Sequence, residues 1–235
     1  FTNCRYRGTT MACAEDWAWP SKGGTASCGI QTVSFYGAIM DCAAREHGNP
    51  KGFQTIATSN HAARKIFSLV GEGVFFQDLY HYGPPYFRPG GGMDCWGHKH
   101  WVYTQVAQAL AALKPAEKRI VAGNPEPARA AIVANLSDDW RDDDIPCMLD
   151  ERLLVYLALR HAGFPVDLLL ERDLRKQSDA KLGQYKAIYL TGVRLEREGF
   201  ESLREWCRDG GTLLVSALAA RRDEFGDPLV DADQF

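Results

Sequence analysis

Short apolar runs alternate along this chain with stretches of helical spacing, and that alternation constrains the fold more than any other feature. Val33, Tyr36, Gly37, Met40 and Ala44 recur at helical intervals between Gln31 and His47, and Asn49-Pro50-Lys51-Gly52 closes the segment with turn residues. Residues 52–58 then read as a buried strand. His61 to Leu69 reads as a helix ending at Gly71-Glu72-Gly73, and Val74 to Tyr80 as an aromatic strand. Beyond the loop Gly90-Gly91-Gly92, a longer helix carries Val102, Val106, Ala109, Leu110 and Leu113 on one face. Strand, helix, strand, helix is the order of a parallel α/β architecture.

Residues 114–128 interrupt the pattern with Pro115, Gly123, Asn124, Pro125 and Pro127, and place a domain boundary there. The expected division is a first domain over 1–114, a linker over 115–127 and a second domain over 128–235. The second series opens with a short strand at 129–135. A helix marked by Leu149, Leu153, Leu154 and Leu157 follows and is ended by Ala162-Gly163. Val166 to Leu170 and Tyr185 to Thr191 are the next strands. Phe200, Leu203 and Cys207 line a helix stopped by Gly210-Gly211, and Thr212 to Ser216 is a fourth strand. Right-handed crossovers between them make a parallel sheet with helices on both faces.

Composition narrows the class of partner. Among 235 residues, 46% are apolar and 24% charged, the proportions of a chain that buries a core. No apolar run approaches the ~20 residues of a bilayer span, so no membrane-crossing helix is expected. The net charge of -3 is interspersed and leaves no basic stripe for nucleic acid. Cys4, Cys13, Cys28, Cys42, Cys95, Cys147 and Cys207 are odd in number and mostly set among apolar residues, which predicts buried thiols and a reducing compartment. A start at Phe1 without Met and an end at Asp-Gln-Phe just after a strand-like segment read as a piece cut at both ends.

Three segments carry a resemblance: His161-Ala-Gly-Phe-Pro-Val-Asp, Tyr185-Lys-Ala-Ile-Tyr-Leu-Thr-Gly, and Leu203-Arg-Glu-Trp-Cys-Arg-Asp-Gly-Gly-Thr-Leu-Leu-Val-Ser. They resemble the trimerisation domain of family 42 glycoside hydrolases, the β-galactosidases, and Arg221-Arg-Asp-Glu-Phe-Gly is similar to a loop that follows in that domain. The resemblance implies an open, parallel-sheet, flavodoxin-like domain of glutamine-amidotransferase type that assembles a homo-oligomer. It also implies that the first half is the C-terminal part of a (β/α)8 barrel. Thr9 to Glu15 would be strand six, residues 52–58 strand seven and 74–80 strand eight.

Polar and aromatic residues collect just after those strands, where a (β/α)8 barrel builds its site. Glu15 follows an uncharged strand and precedes two tryptophans, which makes it the candidate catalytic carboxyl of the pair that glycoside hydrolysis needs. Asp16, Trp17, Trp19, Asn60, His61, Tyr80, His81 and Tyr82 are the candidate binding residues: rings to stack on a carbohydrate, polar groups to bond its hydroxyls. Each has a plainer reading, as barrel packing or a satisfied rim group. The resemblance further implies an acid/base after strand four, outside this chain, and a nucleophilic Glu after strand seven. Here strand seven runs into Thr58-Ser59-Asn60-His61, with no carboxylate. Either Glu15 takes that role, or the strand count shifts by one, or the barrel does not cleave glycosides.

Cys95, His98 and His100 have soft ligand atoms, but no fourth ligand accompanies them, and neither a metal nor a cofactor is expected. Amidotransferase chemistry needs a Cys on a tight strand-to-helix turn. The strand at 212–216 ends instead in Ala217-Leu-Ala-Ala.

Overall fold

A computed structural model describes residues 10–15, 31–45, 48–56, 61–80, 100–123, 126–139, 148–175 and 182–229. Two compact units divide the chain, Phe1–Pro125 and Glu126–Phe235.

The first unit holds a parallel sheet of order β1-β2-β3, formed by β1 (Ala12–Glu15), β2 (Lys51–Ile56) and β3 (Phe76–Tyr80). The helix α1 (Thr32–Arg45) joins the first two strands, and α2 (Ala62–Gly71) the second and third. Met40, Ala44, Phe53, Leu69 and Val74 pack with Ala12 and Val33 into one cluster, so the helical and strand periodicities of the sequence meet on the same core. Lys51 fastens this arrangement, with its ammonium 2.6 Å from Asp41 and donating to the Glu72 carbonyl at 2.9 Å. A third helix, α3 (His100–Leu113), lays Val102, Val106 and Ala109 against Ala62 and Ile66 of α2. Leu110, expected on that face, is exposed, because it lies about 100° of helical rotation beyond Ala109 and clears the seam. The Pro-containing break is also helical at its start. A 3₁₀ turn, Lys114–Ala116, runs into α4 (Glu117–Ala122).

The second unit is a four-stranded parallel sheet of order β5-β4-β6-β7. Its strands are β4 (Ala130–Ala134), β5 (Val166–Leu170), β6 (Ala187–Leu190) and β7 (Thr212–Val215). After β4 come the short α5 (Leu136–Asp139) and then α6 (Met148–His161); a 3₁₀ turn at Glu171–Leu174 follows β5. The helix Arg197–Arg208, here α7, connects β6 to β7. Strands β4 and β5 are largely apolar and buried, whereas β7, at the opposite edge from β5, exposes Leu214 and Val215. Leu153 and Leu157 of α6 are buried, but Leu154, expected beside them, faces out.

The three helices α2, α6 and α7 end alike. Gly73, Gly163 and Gly210 have positive φ, and the residue after each donates back to the third-last helical carbonyl: Val74 to Leu69, Phe164 to Leu159, Gly211 to Trp206. Each glycine turns the chain out of its helix and towards the next strand, which is why the sequence signals these ends so clearly. The cysteines depart from expectation: Cys42 is buried, but Cys13 is exposed and Cys207 half-buried, where partial desolvation raises its thiol pKa. No described helix is long and apolar enough to cross a membrane.

Candidate functional site

Parallel strands bring their carboxyl ends to one edge of a sheet, and in α/β folds that edge is where sites form. In the first unit the register pairs Glu15 with Gln54 and Gln54 with Asp78, and Ile56 with Tyr80. The chain therefore carries Glu15, Ile56 and Tyr80 to the same edge. For Glu15 and Tyr80 the backbone alone is described. Asp16, Trp17, Trp19, Asn60, His81 and Tyr82 lie outside the described residues, as do Cys95 and His98, while His100 begins α3.

His61 precedes α2 as its N-cap and makes no side-chain capping bond. Partial burial lowers its pKa, helped by the cations Arg64 and Lys65, so the ring is neutral near pH 7 and can both give and take a hydrogen bond. Elsewhere in this unit a groove of about 470 Å³ opens between α2, β3, α3 and α4. Ile66, Val70, Phe75, Leu79 and Leu113 line it, and few polar groups are available there to bond a sugar.

The second unit assembles a polar network at its own carboxyl edge, from residues that the sequence does not single out. Strand order changes direction between β4 and β6, the place where doubly wound sheets open a crevice. Three carboxylates converge on the loops there. Glu151, in the first turn of α6, accepts the Tyr189 and Thr191 hydroxyls, one on each oxygen, and Ser216 donates to Thr191 at 3.2 Å. Burial, then the bond to Glu151, pushes the Tyr189 phenol up to about 12. Glu171, just after β5, accepts the Ser137 amide and hydroxyl on one oxygen and the Glu196 amide on the other. Desolvation nevertheless outweighs these donors and raises its pKa. Asp138 of α5 accepts the Val193 amide at 3.0 Å and lies 3.6 Å from the Arg194 guanidinium.

These contacts staple the loop Thr191 to Glu196 onto the ends of β4 and β5, and they engage all three of these carboxylates within the chain. The turn after β7 holds two non-glycine residues at positive φ, 70° at Leu218 and 51° at Ala220, and neither side chain carries a nucleophilic atom. Among the described residues no group of three or more His, Cys, Asp and Glu is placed to hold a metal.

No protein-family model matches the sequence, and no curated protein matches it. Solved structures do. The chain overlays a GH42 β-galactosidase, Gan42B, with a TM-score of 0.72 at 15% identity, covering 94% of this chain and 34% of that one. A β-galactosidase from Bifidobacterium adolescentis is matched at 18% identity, over 44% of this chain and 46% of that one, with a TM-score of 0.36, too loose to define a common fold. At these identities the likeness to Gan42B is one of fold: an α/β chain of two parallel sheets, spanning about a third of a glycoside-hydrolase scaffold.

Proposed function

We propose that the chain is part of a glycoside hydrolase of β-galactosidase type. Its first unit would be the closing strands of a (β/α)8 barrel that hydrolyses a glycosidic bond with paired carboxylates, and its second unit an assembly domain for a homo-oligomer. The observation that carries this reading is the shared edge of β1, β2 and β3, which gathers the carboxyl ends of three parallel strands beside Glu15 and Tyr80. The fold of Gan42B supports it.

In this reading Glu15 supplies one carboxyl, and Asp16, Trp17, Trp19, Asn60, His61, Tyr80, His81 and Tyr82 bind the carbohydrate. The neutral His61 ring suits a hydroxyl partner better than a charged one. A second reading is favoured by the run Thr58-Ser59-Asn60-His61, which offers no carboxylate after the second strand: a carbohydrate-binding or assembly protein on the same scaffold, without turnover. The second unit's Glu151, Glu171 and Asp138, each held by partners within the chain, fit an assembly role better than chemistry.

The test is an assay of the protein carrying this chain on aryl β-galactosides, beside its Glu15→Gln variant. Turnover that the variant loses, with unchanged melting, supports the enzyme. Saturable sugar binding without turnover in either protein supports the second reading.

A further inference from the structure

The crevice at the switch point of the second sheet is filled from within. Asp138 reaches it from α5, and its Oδ2 accepts the Val193 amide at 3.0 Å while Oδ1 lies 3.6 Å from Arg194 Nη1. Gly192, just before that amide, has φ of +91°; a Cβ there would stand 2.5 Å from Asp138 Oδ2 and 3.1 Å from Asn135 Nδ2. The backbone therefore closes directly over the carboxylate, and only glycine permits the approach. Asn135 sits beneath, 1% exposed, giving its Nδ2 proton to the Arg194 carbonyl at 2.8 Å. Its Oδ1 has no hydrogen-bond partner, so the crevice retains one buried acceptor that its own side chains leave unused.

A backbone amide, a guanidinium and a closely apposed glycine are the parts with which proteins hold a small anion. Here all three face a carboxylate covalently attached to the chain. The two charged side chains are only 8% and 10% exposed, so the anion is as enclosed as a bound ligand would be.

We propose that the crevice between the carboxyl ends of β4 and β6 is a binding site for a small carboxylate, occupied in this chain by the Asp138 side chain in place of a free ligand. The site is cryptic while Asp138 fills it. Removing that side chain without replacement opens it to formate or acetate, whose carboxylate has the same shape and charge. Glu171 and Glu151 do not compete for the vacated position, since Ser137, Glu196, Tyr189 and Thr191 already hold them.

The experiment compares the unsubstituted chain, Asp138→Ala and Asp138→Asn by thermal melting in sodium formate and in sodium chloride of equal ionic strength. Asp138→Ala should melt lower in chloride and regain a saturable part of the loss in formate. The unsubstituted chain and Asp138→Asn, with the position filled, should melt alike in both salts. If Asp138→Ala does not fold in chloride, its refolding is followed by circular dichroism across a formate series, and recovery of the native spectrum supports the site. A variant that gains nothing from formate, or an unsubstituted chain that gains as much as the variant does, overturns the proposal.

Discussion

The two carboxyl edges of this chain are built on the same principle and finished differently. Both gather the ends of parallel strands. Among the described residues of the second unit, three carboxylates at the edge are met from inside: Glu151 by two hydroxyls, Glu171 by two amides and a hydroxyl, Asp138 by an amide and a guanidinium. In the first unit the sequence leads from the strand ends into carboxyl, imidazole and aromatic groups, and the one such side chain described there, His61, makes no bond to the helix it precedes. A site needs groups left over for a ligand. An edge whose groups satisfy one another is scaffold, however polar it looks.

The largest expected effect tests the first edge. If Glu15 acts as proton donor, acceptor or nucleophile, Glu15→Gln lowers turnover by roughly 10²- to 10⁴-fold, the usual contribution of a positioned acid or base. Glu151→Gln at the other edge leaves turnover unchanged. Equal loss in both variants, measured on the same aryl glycoside, would erase the distinction between the two edges.

Next in size is the internal satisfaction of the second edge. Arg194→Met removes one partner from an ion pair whose side chains are 8% and 10% exposed, and leaves Asp138 charged in the crevice. The expected cost is about 3 kcal/mol, the low end for breaking a buried pair because the atoms are 3.6 Å apart. Denaturant titration that finds no cost would mean that the edge is open to water.

Smaller effects come from two left-handed residues of the same unit. Gly192→Ala places a methyl against Asp138 in a conformation that disfavours side chains, and should cost about 2 kcal/mol. Leu218, exposed at φ of 70°, is the reverse case. Leu218→Gly relieves the strain, partly offset by the greater freedom of glycine when unfolded, for a gain of about 1 kcal/mol. Calorimetric melting that ranks the two variants otherwise would show that the second edge is not held by its backbone geometry.

The strands and the helix ends were legible because their causes are local. Val166 to Leu170 is a β strand to the residue, and the glycines at 73, 163 and 210 announce the helix stops. Pro115 misleads, because a proline breaks a helix in its middle but fits its first turn, where Lys114–Ala116 places it. Leu110 and Leu154 show that an apolar residue near a buried stripe need not belong to it. The second edge was illegible for another reason: its partners lie far apart in the chain, with Asn135 and Arg194 59 positions apart and Asp138 and Val193 55 apart. No spacing rule reaches that far, and only the order of strands brings them together.

The smallest effect concerns acid, and it contrasts two carboxyls of the second unit. Burial raises the Glu171 pKa above its ordinary 4.5, so its contribution to stability is fully present below 4.5 and is lost as pH rises through the folded-state value. Desolvation acts on Asp223 in the same sense. There it is outweighed by the Arg197 guanidinium and by the amides of Asp227 and Phe225, which hold the pKa below its ordinary 3.8. The Asp223 contribution is therefore present above 3.8 and is lost as pH falls through the folded-state value. Gln and Asn mimic the protonated forms of the two groups. The unsubstituted chain and Glu171→Gln should thus be alike in stability below 4.5, with the unsubstituted chain falling behind the variant as pH rises through the folded-state value, while its advantage over Asp223→Asn should vanish as pH falls below 3.8. Urea titrations over that span decide the matter: two differences that move in the same direction would mean that the donors around Glu171 outweigh its burial, and that the second edge holds its charge as firmly as the Arg197–Asp223 pair does.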